Sequence, residues 1–209
     1  TMPSSGADAS DQMREQSTKN AAASPSALIH VWIALICTCI YFGAASAIWS
    51  FLERMGSTGG LSQVDIGNPL ALTLVFASLG SLVTGWLGSS YGNVKPFLLS
   101  IFVLIISLAL LATFETTQSF SVGACLFSFS FGVGVPFAVA EVAKRDPDGR
   151  FVMLSVTAIG VGAMVGPVIG GALISDQNYN LLCISVFIMM MVSGSLMCLK
   201  PTENDKDES

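Results

Sequence analysis

Few side chains in this sequence could take part in catalysis or in metal binding. His30 is the sole histidine, and the apolar stretches contain no Cys-x-x-Cys pair, no His-Glu cluster and no pair of acids. Hydrolysis inside a membrane would need a nucleophile with a base, or two carboxylates, at membrane depth. We therefore expect that the chain is not an enzyme and that it binds no metal ion and no cofactor.

Two acidic residues lie at the ends of apolar stretches, where gaining or losing a charge could accompany a movement of the helices. Glu53 is followed by Arg54 just after the first stretch, and Glu141 comes just after the fourth. A carboxylate in such a place can bind a proton or exchange ion-pair partners when the helices around it move. Glu53 and Arg54 could equally be a solvated pair, and Glu141 could pair with Lys144 or Arg145 to latch a gate.

The composition identifies the elements that must position these residues. Of the 209 residues, 52% are hydrophobic and 11% are charged, whereas an average soluble domain is about 25% charged. The mean hydropathy is +0.70. So apolar a chain excludes a soluble enzyme, and a net charge of −5 argues against a nucleic-acid partner.

Six stretches carry almost no charge, and each is long enough to cross ~30 Å of hydrocarbon. They are Leu28–Leu52, Ile66–Gly88, Phe97–Phe114, Ser119–Ala140, Phe151–Ile174 and Asn180–Leu199. Backbone polar groups in hydrocarbon must be bonded within their own segment, and the alternation typical of a barrel strand is absent. We therefore predict an all-α polytopic membrane protein in a lipid bilayer, with residues 27–199 as its transmembrane domain.

The basic residues predict the orientation of these spans. With six spans both termini lie on one side of the membrane, and eight of the nine Lys and Arg residues fall on that side. Arg54 is on the other side. The positive-inside rule therefore places both termini in the cytoplasm. Residues 1–26 are predicted to be a disordered linker, and residues 200–209 a solvated acidic tail.

Glycines give the fifth stretch a distinctive surface. Gly162, Gly166 and Gly170 recur every four residues, Pro167 interrupts the backbone hydrogen bonding, and Gly171 follows. Such small residues let the backbone of a neighbouring helix approach closely, and the proline bends its helix. A grooved and bent helix suits a rocking interface, but tight static packing would need the same glycines.

The second stretch shares this glycine-rich character with the fifth. Both lead to, or follow, a predicted cytoplasmic turn that carries a glycine and a basic residue: Gly92 with Lys95, and Gly149 with Arg150. Equivalence of the second and fifth spans would make the six helices two inverted triplets.

Residues 28–199 resemble the C-terminal six-helix half of a transporter of the major facilitator superfamily. The run Gly85-Trp-Leu87-Gly-Ser-Ser-Tyr-Gly92-Asn-Val-Lys95 is similar to the signature Gly-x-Leu-Ala-Asp-Arg-x-Gly-Arg-Lys of that superfamily. Two serines replace its Asp and Arg, as is common in the copy of the second half. The fifth stretch satisfies the pattern Gly-x-x-x-Gly-Pro-x-x-Gly-Gly, which is best known from drug/proton antiporters.

The resemblance implies that a second six-helix half completes the protein. Members of the superfamily bind their substrate between two such halves, and this chain supplies one. A lone half would expose its polar cavity face to lipid, which is costly, so a second half is needed. That half would belong to the same polypeptide, upstream, or to a separate chain. If the other half lies upstream in the same polypeptide, residues 1–26 are the central loop between the two halves. Similarity to bacterial members of the superfamily implies that the membrane is a bacterial inner membrane.

The resemblance also implies that the first and fourth helices line the substrate cavity. The candidate residues in these helices are Tyr41, Ser46, Trp49, Phe127, Ser130 and Gly134. Each of them could instead be a packing residue. Pro136 could be a hinge or an incidental kink.

The function implied is transport of a small organic solute by alternating access. The antiporter-like glycine pattern favours efflux, and uptake is nearly as well supported. The alternative is a six-helix scaffold or assembly subunit that transports nothing, or a truncated relic. A transporter half should concentrate Ser, Tyr, Trp and Gly of the first and fourth helices on one side, whereas a scaffold would bury them evenly.

Overall fold

A computed structural model describes residues 25–88, 90–146, 149, 151–174 and 178–199. The predicted acidic tail at 200–209, and residues 1–24 of the predicted N-terminal linker, lie outside the described residues. The described residues form six helices and no β-strand. These helices are α1 (Pro25–Thr58), α2 (Gln63–Leu87), α3 (Val94–Ala112), α4 (Thr117–Arg145), α5 (Val152–Leu173) and α6 (Asn180–Met197).

Each of the six helices is long and apolar enough to cross a membrane. The prediction of an all-α polytopic membrane protein with six spans is therefore confirmed. Two helices extend past the apolar stretches that predicted them: α1 has 34 residues and α4 has 29 residues. Glu53 and Glu141 consequently lie inside the last turns of their helices, where Glu53 is exposed to solvent and Glu141 is buried beside Arg145.

Successive helices run in opposite directions. Near the start of α3, Asn93 donates a hydrogen bond to Glu141 near the end of α4, 3.2 Å away. At the other end of the same pair, the rings of Phe114 and Phe120 have centroids 5.2 Å apart. We call the end at which α1, α3 and α5 begin the basic end, since Lys95, Lys144 and Arg145 lie there. The other is the opposite end.

The packing of the helices repeats after three places in the chain. Helix α2 packs along α4 while α5 packs along α1, and α3 packs on α4 while α6 packs on α1. Moving three helices along the chain, with α1 counted after α6, converts the α2–α4 contact into the α5–α1 contact. The same shift converts the α3–α4 contact into the α6–α1 contact. Because helices three places apart run in opposite directions, this pattern corresponds to two inverted three-helix repeats, as predicted.

Glycines form the closest of these helix contacts. A Cβ added to Gly162 of α5 would lie 2.6 Å from the carbonyl oxygen of Cys39 and 2.9 Å from the nitrogen of Gly43, both on α1. In the other repeat, a Cβ on Gly80 of α2 would lie 3.1 Å from the nitrogen of Val133 on α4. The backbones of these pairs therefore touch with no side chain between them.

The glycine stripe of α5 lies inside the bundle. Beyond Gly162, Gly166 abuts Gly43 of α1 and Gly170 abuts the ring of Phe51. The three stripe glycines are buried, whereas Gly160 on the same helix is exposed and has no neighbouring atom within 4 Å of an added Cβ. The stripe is thus a contact surface between two helices of this bundle.

Helices α1 and α4 form the centre of the bundle. The largest fully buried side chains include Tyr41 and Ile48 on α1 and Phe120 on α4. In the spanning windows, 61% of the residues of α1 and of α4 are buried, against 11% for α2 and 17% for α5. Side chains of the central helices are consequently placed to line a site within the bundle.

Replacing Gly162 by alanine should separate α1 from α5. Because the new methyl group overlaps backbone atoms that cannot rotate away, we expect the natural full-length protein to lose about 1–3 kcal/mol of stability and its Tm in detergent to fall. Gly160→Ala is the matched control, since a methyl group there meets open space and alanine favours a helix by about 0.5–1 kcal/mol. Equal Tm values for the two variants would contradict the close contact.

Candidate functional site

A groove of about 300 Å³ lies between α1, α2 and α4, near the middle of each helix. Helix α1 contributes Phe42, Ala45, Ser46 and Trp49 to its lining. The spacing of these four residues places them on one helical face, because i, i+3, i+4 and i+7 superimpose on an α-helix. The size of the groove is at the lower end of sites for small molecules, which are about 300–1,000 Å³.

The other walls of the groove come from both repeats. Helix α2 contributes Thr73, Leu74 and Ala77, and α4 contributes Phe127, Ser128 and Phe131. Leu74 is 64% exposed and Trp49 is 46% exposed, so the groove opens to the surface of the bundle beside these two side chains. Its floor is buried against the core.

Aromatic rings form much of the surface of the groove. The rings of Phe127 and Phe131, one turn apart on α4, are parallel within 5° with centroids 6.5 Å apart. The ring of Phe42 meets Phe131 edge-on, at 63° and 5.1 Å. Aromatic pairs at such distances and angles attract one another through their quadrupoles.

Three hydroxyl groups interrupt this apolar surface. The Ser46 hydroxyl lies 3.0 Å from the carbonyl oxygen of Gly43 and 3.1 Å from that of Gly162, and it donates to them. The Thr73 hydroxyl donates to the carbonyl oxygen of Leu70, 2.5 Å away. Ser128 is 4% exposed as a residue, and its hydroxyl, which has no hydrogen-bond partner among the described residues, is open to the groove. The enclosed side-chain oxygen that lacks a partner in the described part of the chain is a different one, Oγ of Ser155.

The structure brings three of the six predicted cavity residues together in the groove. Ser46, Trp49 and Phe127 line it, and they come from both of the helices that were expected to do so. Tyr41, Ser130 and Gly134 are absent from its lining. They lie behind the groove, in the contact of α4 with α1 and α3.

Tyr41 supports the wall of the groove from behind. Its ring is fully buried and parallel to that of Phe131, with centroids 6.2 Å apart, and its hydroxyl donates to the carbonyl oxygen of Ser130 at 3.4 Å. Ser130 in turn donates to the carbonyl oxygen of Ser100 on α3. A Cβ on Gly134 would lie 2.7 Å from Cζ of Tyr41. These side chains therefore fix the position of the Phe131 ring.

The sequence did not predict the lining contributed by α2 or the role of Ser128. The resemblance implied a lining from the first and fourth helices alone, which excludes Thr73, Leu74 and Ala77 of α2. Phe42 lies four residues before Ser46 on α1, and Phe131 lies four residues after Phe127 on α4. Spacing along the helix could have identified these two as neighbours of the predicted residues.

No charged side chain lines the groove among the described residues. Glu53 lies one turn beyond Trp49 on the same face of α1, toward the opposite end. Glu53 and Arg54 are both exposed, and side chains of adjacent helical residues do not face each other. In the described part of the chain the ion pair found is a different one, between Glu141 and Arg145.

This ion pair lies buried at the basic end. Arg145 Nε donates to Oε1 of Glu141 at 2.9 Å, and the side chains are 8% and 6% exposed. Asn93 donates to the second carboxylate oxygen. Lys144, the other candidate partner of Glu141, is exposed. Burial of both charges makes each depend on its partner, because an isolated charge in this place would be strongly destabilising.

The guanidinium of Arg145 also joins the ends of two further helices. Nη2 donates to the carbonyl oxygen of Met197 at the end of α6, 3.1 Å away, and Nη1 to that of His30 near the start of α1, 3.5 Å away. A cation is favourable at a helix C-terminus, where carbonyl groups lack partners within the helix. The Glu141–Arg145 network thus connects α4 with α1, α3 and α6.

The predicted signature loop connects α2 to α3 beside this network. Gly92 has a φ of 71°, a left-handed conformation that favours glycine, and it places Asn93 at the start of α3. Leu87 is partly buried against the core, whereas Lys95 is exposed and a Cβ on Gly85 would meet open space. Within the described residues, no group of three or more His, Cys, Asp or Glu side chains could hold a metal ion.

Comparison with known proteins adds to this geometry. The profile of the family described as Major Facilitator Superfamily matches residues 34–209. The gentisate transporter of Corynebacterium glutamicum is 28% identical over 181 residues, which cover 82% of this chain and 38% of that protein. The chain therefore spans less than half the length of this curated relative. No solved structure matches the chain.

Replacing Arg145 by leucine should destabilise the bundle more than removing both charges. Because the variant buries Glu141 without its cation, we expect a loss of about 3–5 kcal/mol and a lower Tm in detergent. The double variant Glu141→Leu/Arg145→Leu should recover part of this loss. Lys144→Leu is the control, since that side chain is exposed. A Tm for Lys144→Leu as low as that for Arg145→Leu would show that the network contributes nothing.

Proposed function

We propose that this chain, which belongs to the major facilitator superfamily, is the C-terminal half of a transporter that moves a small organic solute across a membrane by alternating access. The observation that carries the proposal is the groove between α1, α2 and α4. It lies at the middle of three spans and is mainly apolar with a few hydroxyl groups, as is typical of small-molecule sites. Transporter sites lie near the membrane midplane at a repeat interface.

The open side of the groove supports the proposal of a second six-helix half. Trp49 and Leu74 are exposed at the mouth, so a bound solute would remain in contact with whatever lies beside this face. A second half, in the same polypeptide or in a separate chain, would close the groove and allow the two bundles to rock around a fixed site. The solute would then be exposed to each side of the membrane in turn.

The placement of the lining favours a transporter half over a scaffold. Ser46, Trp49 and Phe127 meet on one side of the bundle, as a cavity face requires. A hydroxyl group that opens into a groove without a protein partner, as that of Ser128 does among the described residues, is available to a bound solute and has no evident use in a scaffold. This argument concerns the groove alone, because Tyr41, Ser130 and Gly134 have packing roles.

The solute we propose to test first is gentisate, because a relative of the chain is named as its transporter. The direction of transport is a separate matter. The glycine pattern of α5, which resembles that of drug/proton antiporters, favours efflux, and uptake is the alternative. We further propose that the basic end faces the cytoplasm of a bacterium, because basic residues concentrate on the cytoplasmic side of a plasma membrane.

Trp49→Ala tests the groove as the solute site. Loss of the indole ring removes apolar and aromatic contact at the mouth, so we expect KM for gentisate to rise about tenfold, the equivalent of about 1.4 kcal/mol. The natural full-length protein in proteoliposomes, with radiolabelled gentisate, provides the measurement. Trp86→Ala is the matched control, because Trp86 is 89% exposed on α2 and outside the groove.

Equal KM values for Trp49→Ala and Trp86→Ala would contradict this assignment of the site. Transport of neither gentisate nor other small organic solutes by the wild-type protein, in either direction, would contradict the proposed function itself.

Glu53→Gln tests a second proposal, that Glu53 is the carboxylate through which this half responds to pH. Glu53 continues the groove face of α1, so its protonation would change the charge beside the solute path. We expect the dependence of transport rate on pH to flatten in Glu53→Gln and to persist in Glu115→Gln, which removes an exposed carboxylate in the connector from α3 to α4. Unchanged pH dependence in Glu53→Gln would exclude this role.

A further inference from the structure

The aromatic side chains of the groove form an ordered array rather than a loose apolar lining. The rings of Tyr41, Phe131 and Phe127 follow one another with planes parallel within 5°, at centroid distances of 6.2 and 6.5 Å. Tyr41 is fully buried and anchored at both ends, by a hydrogen bond to Ser130 and by the ring of Phe97, 5.1 Å away. The array is therefore held rigid from the core.

A rigid aromatic wall favours one kind of ligand surface. Planar rings pack against such a wall in offset or edge-on arrangements, with centroids about 4.5–7 Å apart, and gain more than an aliphatic group of the same area. Phe42 meets Phe131 edge-on within the lining, so a solute ring would meet rings that already pack in this way. The wall is thus suited to a flat ring more than to an alkyl chain.

The hydroxyl groups of the groove are not equivalent. Ser46 and Thr73 direct their single protons to backbone carbonyl oxygens, at 3.0–3.1 Å and 2.5 Å respectively. The Ser128 hydroxyl has no partner among the described residues, although the residue is 4% exposed and next to Phe127. A hydroxyl group that lines a groove without a protein partner can donate to, or accept from, a bound solute.

The charges around the groove restrict what can bind there. The described lining contains neither a cation nor an anion, and Glu53, one turn beyond Trp49, would repel a carboxylate. A charged group on the solute must therefore point out of the groove, through its open mouth, toward the second half. The part of the solute inside the groove must be neutral.

We infer that this groove binds the neutral aromatic ring of a single-ring solute, and that Ser128 determines specificity by hydrogen bonding to an oxygen substituent on that ring. The inference rests on the proposed function and names the substrate class of the same site. The parallel rings of Phe127 and Phe131 select for a planar ring. Ser128 distinguishes a ring that carries a hydroxyl group from one that does not.

Equilibrium binding to the purified natural full-length protein tests this inference. The probes are benzoate, its 2-, 3- and 4-hydroxy derivatives, and cyclohexanecarboxylate, which share one carboxylate and differ in the ring or its hydroxyl group. We expect benzoate to bind about tenfold more tightly than cyclohexanecarboxylate, because the aromatic wall selects the ring. At least one hydroxybenzoate should bind about tenfold more tightly than benzoate, as one additional hydrogen bond allows.

Ser128→Ala should abolish only the second of these differences. The Kd of the preferred hydroxybenzoate should rise about tenfold to that of benzoate, while the Kd of benzoate stays within about twofold, which also shows that the site is folded. Ser185→Ala is the matched control, because it removes a hydroxyl group on α6 that bonds to its own helix and lies outside the groove. It should change neither Kd.

Three results would overturn the inference. They are equal binding of benzoate and cyclohexanecarboxylate, equal weakening of all probes by Ser128→Ala, and no binding of any aromatic probe by a protein that transports another solute. The last result leaves the proposed function standing.

Conversely, ring selectivity that depends on Ser128, in a protein that moves no solute in proteoliposomes, overturns the proposed function and leaves the ring site. A protein that neither binds the probes nor transports any solute overturns both.

Discussion

The close approach of α5 to α1 and of α2 to α4 is the constraint on which the rest of this structure depends. It requires glycine at Gly162 and Gly80, because a Cβ at either position would overlap the backbone of the neighbouring helix. Hydroxyl groups then bond across the contacts, as Ser46 does to Gly162 and Thr84 does to Val133. Helix α1 packs against α5, and α4 packs against α2, so each central helix contacts a helix of the other repeat. The groove lies where α2 does not cover the facing surfaces of α1 and α4.

Charge and the candidate site are separated along the bundle. The charged groups of the basic end meet in the Glu141–Arg145 network, which joins four helices through a buried ion pair and backbone carbonyl groups. The groove at mid-depth contains aromatic rings and hydroxyl groups. Burial of an ion pair is tolerable only with full hydrogen bonding, which helix ends supply and a helix middle does not. The neutral side chains that line the groove, near the middle of the helices, avoid this requirement.

The prediction of the spans succeeded because hydrocarbon imposes length and composition on any helix that crosses it. The ends of α1 and α4 were less predictable, since a helix can continue past its apolar stretch when a charge is solvated, as at Glu53, or paired, as at Glu141. The six predicted cavity residues lie on α1 and α4, but Tyr41, Ser130 and Gly134 pack in the core while Ser46, Trp49 and Phe127 line the groove. Spacing along one helix could not separate these two sets.

The sequence by itself determined the class of protein, the six helices, the repeat and the presence of a glycine stripe. Only the tertiary structure decided that the stripe meets α1, that α2 supplies one wall of the groove, and that Ser128 lines it without a hydrogen-bond partner among the described residues. The physical reason is that lipid is as apolar as a protein interior, so a membrane helix shows little difference in composition between a face that meets lipid and one that meets another helix. Which faces meet depends on contacts between residues far apart in the chain.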